Sequence, residues 1–260
     1  MNIKNLLWIW MCLLPIQTMA QEMALVRGGE FLPLYGAVKN EMVQVKDFYM
    51  DAKPVTHADF LEFVQKNPQW KKSMVKKIFA DERYLTAWDG DQQVPSELHN
   101  SPVNNISWFA AKAYCECQGK RLPTVDEWEY AAMADEKIKD ARKDSLYNVK
   151  IIRTYEKPKT HLLKVGQGEK NYWGIFDLHG LVWEWTQDFN SVIIAGESRN
   201  NGNGEKGLFC ASGAVGANDL MNYAAFMRYA IRASLKANHT VTTKGFRCVK
   251  DANSNYLVQK

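Results

Sequence analysis

The sequence predicts an α+β domain that is rich in loops. Strand-like segments come first along the chain, helix-like segments follow, and all of them are short with long connections between them. The chain has 260 residues, of which 46% are apolar and 12% are aromatic. This composition supports a sizeable core in one folded domain.

The predicted strands precede the predicted helices. Residues 23–34 predict a strand, a glycine turn and a strand, and residues 43–50 alternate as one further strand. Three helices are predicted from residues that can cap them: Thr56, Ser107 and Thr124. The third has the strongest start signal, because Glu127 completes a capping box. The second is expected to end at Gly119.

Two stretches without a regular period predict loops. Residues 137–170 are charged and predict a long surface excursion, and residues 196–207 are rich in Gly and Asn. Neither has the length of a domain linker. We therefore expect one domain over residues 21–260.

Residues 1–20 have the pattern of a signal peptide. Their apolar stretch at residues 6–16 is too short to span a bilayer, and small residues follow at the cleavage position. We expect an exported protein, periplasmic or secreted, that is not embedded in a membrane after cleavage. A lipid anchor at Cys12 is the less favoured alternative.

The charge balance argues against nucleic acid as a partner. The formal net charge is +4, from 33 basic and 29 acidic side chains. No basic run is long enough to make an electrostatic footprint for DNA or RNA, so we expect no nucleic-acid binding.

Four cysteines remain once the first 20 residues are removed: Cys115, Cys117, Cys210 and Cys248. An even number in an oxidising compartment favours disulfides, and four cysteines permit three pairings. A soft-metal site at the Cys-x-Cys pair is the weaker alternative. Residues two apart on a helix point to different faces, so they would not hold one ion together.

A buried carboxylate is predicted within the segment GIFDLHGLVWEWTQDF. Glu184 lies between Trp183 and Trp185, shortly after a glycine turn at Gly180 and the acidic residue Asp177. Large aromatic residues at alternate positions indicate a packed segment. The carboxylate therefore needs an arginine, backbone N–H groups or a metal ion.

Four motifs in order resemble the formylglycine-generating enzyme family, also called the sulfatase-modifying-factor family. They are KPVTHADFLEFV, SPVNNISWFAAKAYCECQGKRLPTVDEWEYAA, YWGIFDLHGLVWEWTQDF and KGFRCV. The resemblance covers nearly the whole chain after residue 22. It implies a compact, loop-rich fold related to the C-type lectin domain.

The resemblance implies a disulfide bond between Cys115 and Cys248, a pair that bridges in exported members. Closing so long a loop would stabilise the fold by about 4 to 5 kcal/mol in the chain-entropy model. Cys117 and Cys210 could form a second bridge, which the family pattern does not support.

The resemblance also implies one structural calcium site at the glycine turn. Its ligands would be the side chains of Asp177 and Glu184 and the carbonyls of Gly180 and Val182, oxygen donors of the kind that calcium prefers. In the alternative, Asp177 caps a turn and Glu184 pairs with an arginine such as Arg247. A second calcium site of the family, which uses an Asn-Ile pair in the preceding loop, has no match within residues 137–170.

Redox copper is not expected. Family members that oxidise a cysteine of sulfatases bind copper through two cysteines, and these positions fall on Asp219 and Ala224 when counted back from the GFRC motif. A monovalent copper ion is held by sulfur, which neither side chain supplies. The five histidines show no spacing for an iron site, and His179 beside the turn is expected to be structural.

Two interpretations remain for the segment that has lost these cysteines. It could form a loop followed by a strand, or a rebuilt pocket in which Asp219, Tyr223 and Arg228 are the candidate catalytic residues and receive a polar or aromatic ligand.

Two function classes follow. The chain resembles exported single-domain members that lack the copper cysteines, which act in pyoverdine maturation or are described as accessory to periplasmic nitrite reductase, and it looks most like the latter. One class is a periplasmic accessory or maturation protein that holds a partner protein in its groove. The other is a periplasmic oxidoreductase that acts on a small aromatic or peptide substrate, as in pyoverdine maturation.

Overall fold

The computed structural model describes residues 21–35, 40–191 and 222–252. In these ranges the helices are α1 (His57–Lys66), α2 (Trp108–Cys117), α3 (Val125–Ala132), α4 (Ser145–Tyr155) and α5 (Tyr223–Ala233). The strands are β1 (Met23–Val26), β2 (Gly29–Phe31), β3 (Val43–Val45), β4 (Phe48–Asp51), β5 (Trp183–Glu184), β6 (Lys244–Gly245) and β7 (Val249–Asp251). The predicted α+β class is confirmed, and the relation to the C-type lectin domain stays a prediction.

The described strands form three small sheets. β4 lies between β1 and β7 in an antiparallel sheet, and β2 pairs with β3, also antiparallel. β5 and β6 are parallel, with Glu184 opposite Gly245. This last pairing brings the Trp-Glu-Trp segment beside the C-terminal KGFRCV segment.

The prediction of one strand over residues 43–50 is wrong, because the segment divides into β3 and β4 in different sheets. At the division the backbone passes close to Gly28, where a Cβ atom would lie 2.2 Å from the Val45 carbonyl oxygen, so only glycine fits there. Asp47 stabilises the crossing, since its Oδ1 accepts a hydrogen bond of 2.8 Å from the Gly28 N–H.

The three predicted helix starts are confirmed. Thr56 and Thr124 each accept a hydrogen bond from the backbone N–H three residues later, and the side chain at that later position accepts one in return. Ser107 accepts the corresponding bond from Ala110. These contacts satisfy N–H groups that would otherwise lack a partner in the first helical turn.

The prediction of an irregular loop over residues 137–170 is wrong, because the stretch contains α4. Asp144 caps this helix and accepts a hydrogen bond from the Leu146 N–H. Ile151 is its one buried residue, and Leu146 is 75% exposed. A helix with so narrow a buried face has a weak apolar period in the sequence.

The disulfide bond between Cys115 and Cys248 joins α2 to the residue before β7. It is the pair that the resemblance implies. It lies within an aromatic core that includes Phe60, Tyr114 and Phe246. The neighbouring thiol, Cys117, is exposed and free, whereas its suggested partner Cys210 lies outside the described residues.

No helix in the described ranges is long and apolar enough to cross a membrane. The predicted signal peptide at residues 1–20 and the predicted loop at residues 196–207 lie outside those ranges.

Candidate functional site

Glu184 is held by one arginine. Its carboxylate accepts hydrogen bonds from Arg247 Nε to both oxygens, at 3.0 and 2.9 Å, and from Arg247 Nη2 at 2.8 Å. Trp128 Nε1 donates a further bond of 2.7 Å. Both members of the ion pair have fully buried side chains. One guanidinium therefore balances one carboxylate away from water.

The Arg247 side chain also joins separate segments of the chain. Its guanidinium donates to the carbonyl oxygens of Asp51 at 3.1 Å and Phe176 at 2.9 Å. These bonds satisfy donors that the carboxylate does not reach. The pair consequently anchors β4, the turn segment and the C-terminal segment to one another.

Asp177 lies just before the Gly180 turn, and its side chain caps a different turn, the one at Gly166. Its Oδ2 accepts a hydrogen bond of 2.6 Å from the Gly166 N–H, and its backbone has a left-handed φ of 59°. Burial raises the pKa of Asp177, while the Gly166 N–H and the charge of Arg247 act in the opposite direction. This is the arrangement that the sequence left open as the alternative to calcium.

The Glu184 carboxylate, in this arrangement, does not fit a calcium ion. Arg247 and Trp128 already bond to both of its oxygens. An ion held with Asp177 and the carbonyls of Gly180 and Val182 would have to share Glu184 with Arg247. The described residues contain no group of three or more His, Cys, Asp or Glu side chains placed to hold a metal. Calcium at this turn stays a prediction from the resemblance.

A different buried carboxylate, Glu129 on α3, is shared by two arginines of α5. Arg228 donates from Nε to both oxygens, at 3.0 and 3.1 Å, and from Nη2 at 2.6 Å. Arg232 Nη1 donates a bond of 2.6 Å. The arginines lie four residues apart, which places them on one face of the helix. The sequence analysis did not predict Glu129 as a site residue.

The electrostatics of this cluster favour an ionised Glu129. Burial raises its pKa, but the positive charges of Arg228 and Arg232 outweigh that effect and hold the pKa at about 2. The Trp128 ring lies beside both guanidinium groups, with its centroid 5.4 Å from Arg228 Cζ and 4.9 Å from Arg232 Cζ. Trp128 thus contacts the Glu129 cluster with its ring and Glu184 with its N–H.

Arg228 is also connected to a buried histidine. Its Nη1 donates a bond of 3.2 Å to the Tyr155 hydroxyl, which lies 3.2 Å from His179 Nδ1. His179 Nε2 lies 2.9 Å from the Ala132 carbonyl oxygen, so this nitrogen carries the proton and Nδ1 accepts from Tyr155. Burial lowers the pKa of His179 to about 3, with a further contribution from the charge of Arg228. His179 is therefore neutral in the folded protein and has a structural role.

Two small cavities border this network, with volumes of about 20 and 10 Å³ open to the centre of a water molecule, and Arg228 lines both. Glu129, Arg142 and Tyr147 contribute to the larger one. The residues that contribute to the smaller one include the following: Trp128, Tyr155, Trp183, Arg232 and Lys244. Tyr147 and Tyr155 both come from α4, the helix that the sequence did not predict.

Lys244 in β6 is the most deeply buried basic side chain of the smaller cavity. It is 1% exposed, and its Nζ donates a hydrogen bond of 3.1 Å to the Glu184 carbonyl oxygen. Nζ also lies 4.6 Å from the centroid of the Trp185 ring. Burial, followed by the charge of Arg232, lowers the pKa of Lys244 well below its usual value. No ion pair with a carboxylate is formed by Lys244 within the described residues.

The described structure contains two of the three candidate catalytic residues, and of these two only Arg228 lies at the cavities. Arg228 lies at both cavities. Tyr223 is 54% exposed, stacks on Phe226 and lines neither cavity. Asp219 lies outside the described residues.

The alternative of a strand after this loop is wrong, because residues 223–233 form α5. Asn222 caps the helix and accepts a hydrogen bond from the Ala225 N–H. Ala224, at the second expected copper position, is fully buried in the first turn of this helix.

One sequence signal could have identified Glu129. It lies between Trp128 and Tyr130, an aromatic-Glu-aromatic triplet like the one around Glu184. Lys244 had no comparable signal, because its burial results from the pairing of β5 with β6.

Residues 14–252 match the sulfatase-modifying factor enzyme 1-like domain, and the chain belongs to this formylglycine-generating-enzyme (FGE-sulfatase) family. Formylglycine-generating enzyme of Mus musculus is 28% identical over 260 aligned residues, covering 83% of this chain and 69% of the mouse protein. Inactive C-alpha-formylglycine-generating enzyme 2 of Mus musculus is 28% identical over 301 aligned residues, with coverages of 95% and 92%. Among solved structures, PvdO from Pseudomonas aeruginosa aligns over 89% of this chain and 95% of its own, with 15% identity and a TM-score of 0.49.

Proposed function

We propose that this protein is an exported accessory or maturation member of the family that does not oxidise sulfatase cysteines through copper. The observation that carries the proposal is the replacement of both copper thiolates. Ala224 presents a buried methyl group, and Asp219 offers oxygen where a soft copper ion requires sulfur. The surface beside Arg228, where the two cavities lie, would instead hold a ligand or a segment of a partner protein.

Export is supported by two features. The predicted signal peptide precedes the domain, and the Cys115–Cys248 disulfide is of a kind that persists in oxidising compartments. A mouse relative that is named inactive, and that aligns with most of this chain, is consistent with loss of the family's oxidation chemistry.

A copper assay tests the proposal. Purified protein of residues 21–260 is mixed with one equivalent of Cu(I) and with a cysteine peptide from a sulfatase, and the peptide mass is followed. We expect no stoichiometric copper binding and no formylglycine. The matched variant carries Asp219→Cys with Ala224→Cys, which restores both thiols and should raise the affinity for Cu(I). Formylglycine formation by the unmodified protein would overturn the proposal.

The second candidate is an oxidoreductase for a small aromatic or peptide substrate. It is favoured by the aromatic walls of the smaller cavity, where the Tyr155 and Trp183 rings lie with centroids 4.4 Å apart. Oxygen uptake with a phenolic or peptide substrate, together with a bound redox metal, would favour this candidate over the accessory role.

A further inference from the structure

Residues 71–79, which we call the lysine loop, combine positive charge with exposed apolar surface. Their sequence, KKSMVKKIF, contains four lysines and no acidic residue. Met74, Ile78 and Phe79 are exposed by 61%, 70% and 39%. Single exposed apolar residues are common on proteins, but several large ones in one short segment mark an interaction surface.

The lysine loop is fixed to the domain from its inner side. Val75 and the preceding Trp70 pack against the aromatic core that contains the disulfide bond. Lys72 Nζ donates a hydrogen bond of 2.8 Å to the Trp88 carbonyl oxygen. The exposed apolar side chains therefore stand on a backbone that is anchored to the core.

Aromatic rings extend the apolar surface from the lysine loop towards α2. The centroid of the Phe79 ring lies 6.1 Å from that of Trp70 and 5.4 Å from that of Phe109. Phe109 in turn lies 5.4 Å from Trp108, measured between ring centroids. Trp70, Trp108 and Phe109 are half-buried, so part of each residue reaches solvent. Such residues are suited to the interfacial layer of a bilayer.

Positive charge borders this apolar surface. Lys76 and Lys77 are exposed and form no ion pair within the described residues. Among those residues Asp91 is the one acidic side chain that bonds to the loop, and it accepts two hydrogen bonds from Ser73, near the first two lysines. Residues 71–83 together carry five basic and two acidic side chains, so the charge stays positive beyond the loop.

This combination favours a lipid surface over a protein partner. Lysine is depleted at the centres of protein interfaces, where its charge would lose water and its long side chain would lose freedom. At a membrane the stem of a lysine lies along apolar neighbours while its ammonium group stays among the headgroups. Anionic lipids attract such lysines, and neighbouring apolar side chains can enter the layer below.

We propose that the lysine loop docks the folded protein on an anionic phospholipid surface. Met74, Ile78 and Phe79 would enter the boundary between headgroups and acyl chains, and Lys76 and Lys77 would contact the phosphates. The docking is peripheral and uses no membrane-spanning segment. The inference goes beyond the proposed function and does not depend on it.

Vesicle flotation tests the proposal. Purified protein of residues 21–260 is mixed with vesicles of phosphatidylcholine alone, or of phosphatidylcholine with phosphatidylglycerol, at low and at high salt. We expect the protein to float with the phosphatidylglycerol vesicles at low salt and to bind them more weakly at high salt, because salt screens exposed charges. Absence of flotation with these vesicles at low salt would overturn the proposal.

Two double variants assign the binding to the lysine loop. Lys76→Gln with Lys77→Gln should lower the partition coefficient by roughly tenfold to thirtyfold, since each lysine near an anionic surface contributes about fivefold. Met74→Ser with Ile78→Ser should lower it by roughly tenfold through the loss of apolar burial. All four side chains are exposed, so both variants should keep the melting temperature of the unmodified protein.

The matched control is Lys157→Gln with Lys164→Gln, the same charge change at two exposed lysines outside the loop, and it should keep most of the affinity. An equal loss in this control would show that only net charge matters and would overturn the docking site. Sedimentation measures self-association. If the unmodified protein self-associates and Met74→Ser with Ile78→Ser prevents it, the surface belongs to a second copy and lipid docking is overturned. Formylglycine formation in the copper assay would overturn the accessory role and leave lipid docking in place.

Discussion

Glu184 and Glu129 are two buried carboxylates in aromatic triplets, and they differ in how their charges are balanced. Glu184 meets one arginine, Arg247, in a fully buried pair. Glu129 meets two arginines, Arg228 and Arg232. The first region has one arginine for one carboxylate, whereas the second has two arginines for one carboxylate.

The two arrangements suit different roles: the first supports the structure, and the second is the candidate for ligand binding. A balanced pair with every donor satisfied stabilises the arrangement of its segments and leaves nothing for a ligand. Donors without a counter-charge are retained at a cost to stability, which is typical of functional sites. Trp128 joins the two regions, so they are expected to be coupled in stability but not in ligand binding.

The largest expected effect is at the balanced pair. Arg247→Met leaves Glu184 buried without a counter-charge, and we expect a loss of about 3 to 5 kcal/mol in the free energy of unfolding. Urea unfolding followed by tryptophan fluorescence measures it. Arg153→Met on the exposed side of α4 is the control, and adding Glu184→Gln to Arg247→Met should recover part of the loss. A loss below about 1 kcal/mol would contradict the structural role of the pair.

Acid should lower the free energy of unfolding, because His179, which lies between the two carboxylates, is neutral in the folded protein. Its pKa is lowered from 6.5 to about 3 in the folded protein, so the unfolded chain binds a proton that the folded protein does not over that pH range. Stability is therefore complete above pH 6.5 and falls by about 1.4 kcal/mol per pH unit below it. Between pH 7 and pH 5 this amounts to about 2 kcal/mol.

The variant His179→Gln isolates this contribution to the pH dependence. The pKa of His57 is also lowered, to about 4, mainly by burial, but its effect is present in both proteins and cancels in the difference. Urea unfolding at pH 7 and pH 5 gives that difference. Equal pH dependence of the two proteins would show that His179 is not buried in its neutral form.

A smaller effect is expected at the shared carboxylate. Arg232→Met leaves Glu129 paired with Arg228 and removes a cation from a crowded positive region, so we expect a loss of only about 1 kcal/mol. Urea unfolding of Arg232→Met and of Arg247→Met measures the difference between the two losses of stability. Equal losses in the two variants would remove the distinction between the two regions.

The smallest expected effect concerns metal removal. Because Arg247 and Trp128 already bond to the Glu184 carboxylate, we expect EDTA to shift the melting temperature by less than about 1 °C. Scanning calorimetry before and after chelation measures it. A fall of several degrees that added calcium reverses would instead support the calcium site implied by the resemblance.

Local signals predicted much of the fold. Thr56, Ser107 and Thr124 marked helix starts because capping depends on residues within one turn of each other. By contrast, α4 buries little apolar surface, and α5 buries Arg228 and Arg232 on its inward face, so the rule that charged side chains face solvent does not identify that face. The sequence predicted Arg228 as a site residue but missed Lys244, whose environment is made by distant strands.

The sequence by itself determined the family, the helix caps and the presence of a carboxylate between two tryptophans that must be balanced. The sequence offered Arg247 as one possible partner of Glu184, and the tertiary structure shows this pair. Only the tertiary structure pairs Glu129 with Arg228 and Arg232. Glu184 and Arg247 are 63 residues apart, and Glu129 and Arg232 are 103 apart. Ion pairing depends on distance through space and on burial, which chain folding sets and local residue patterns do not.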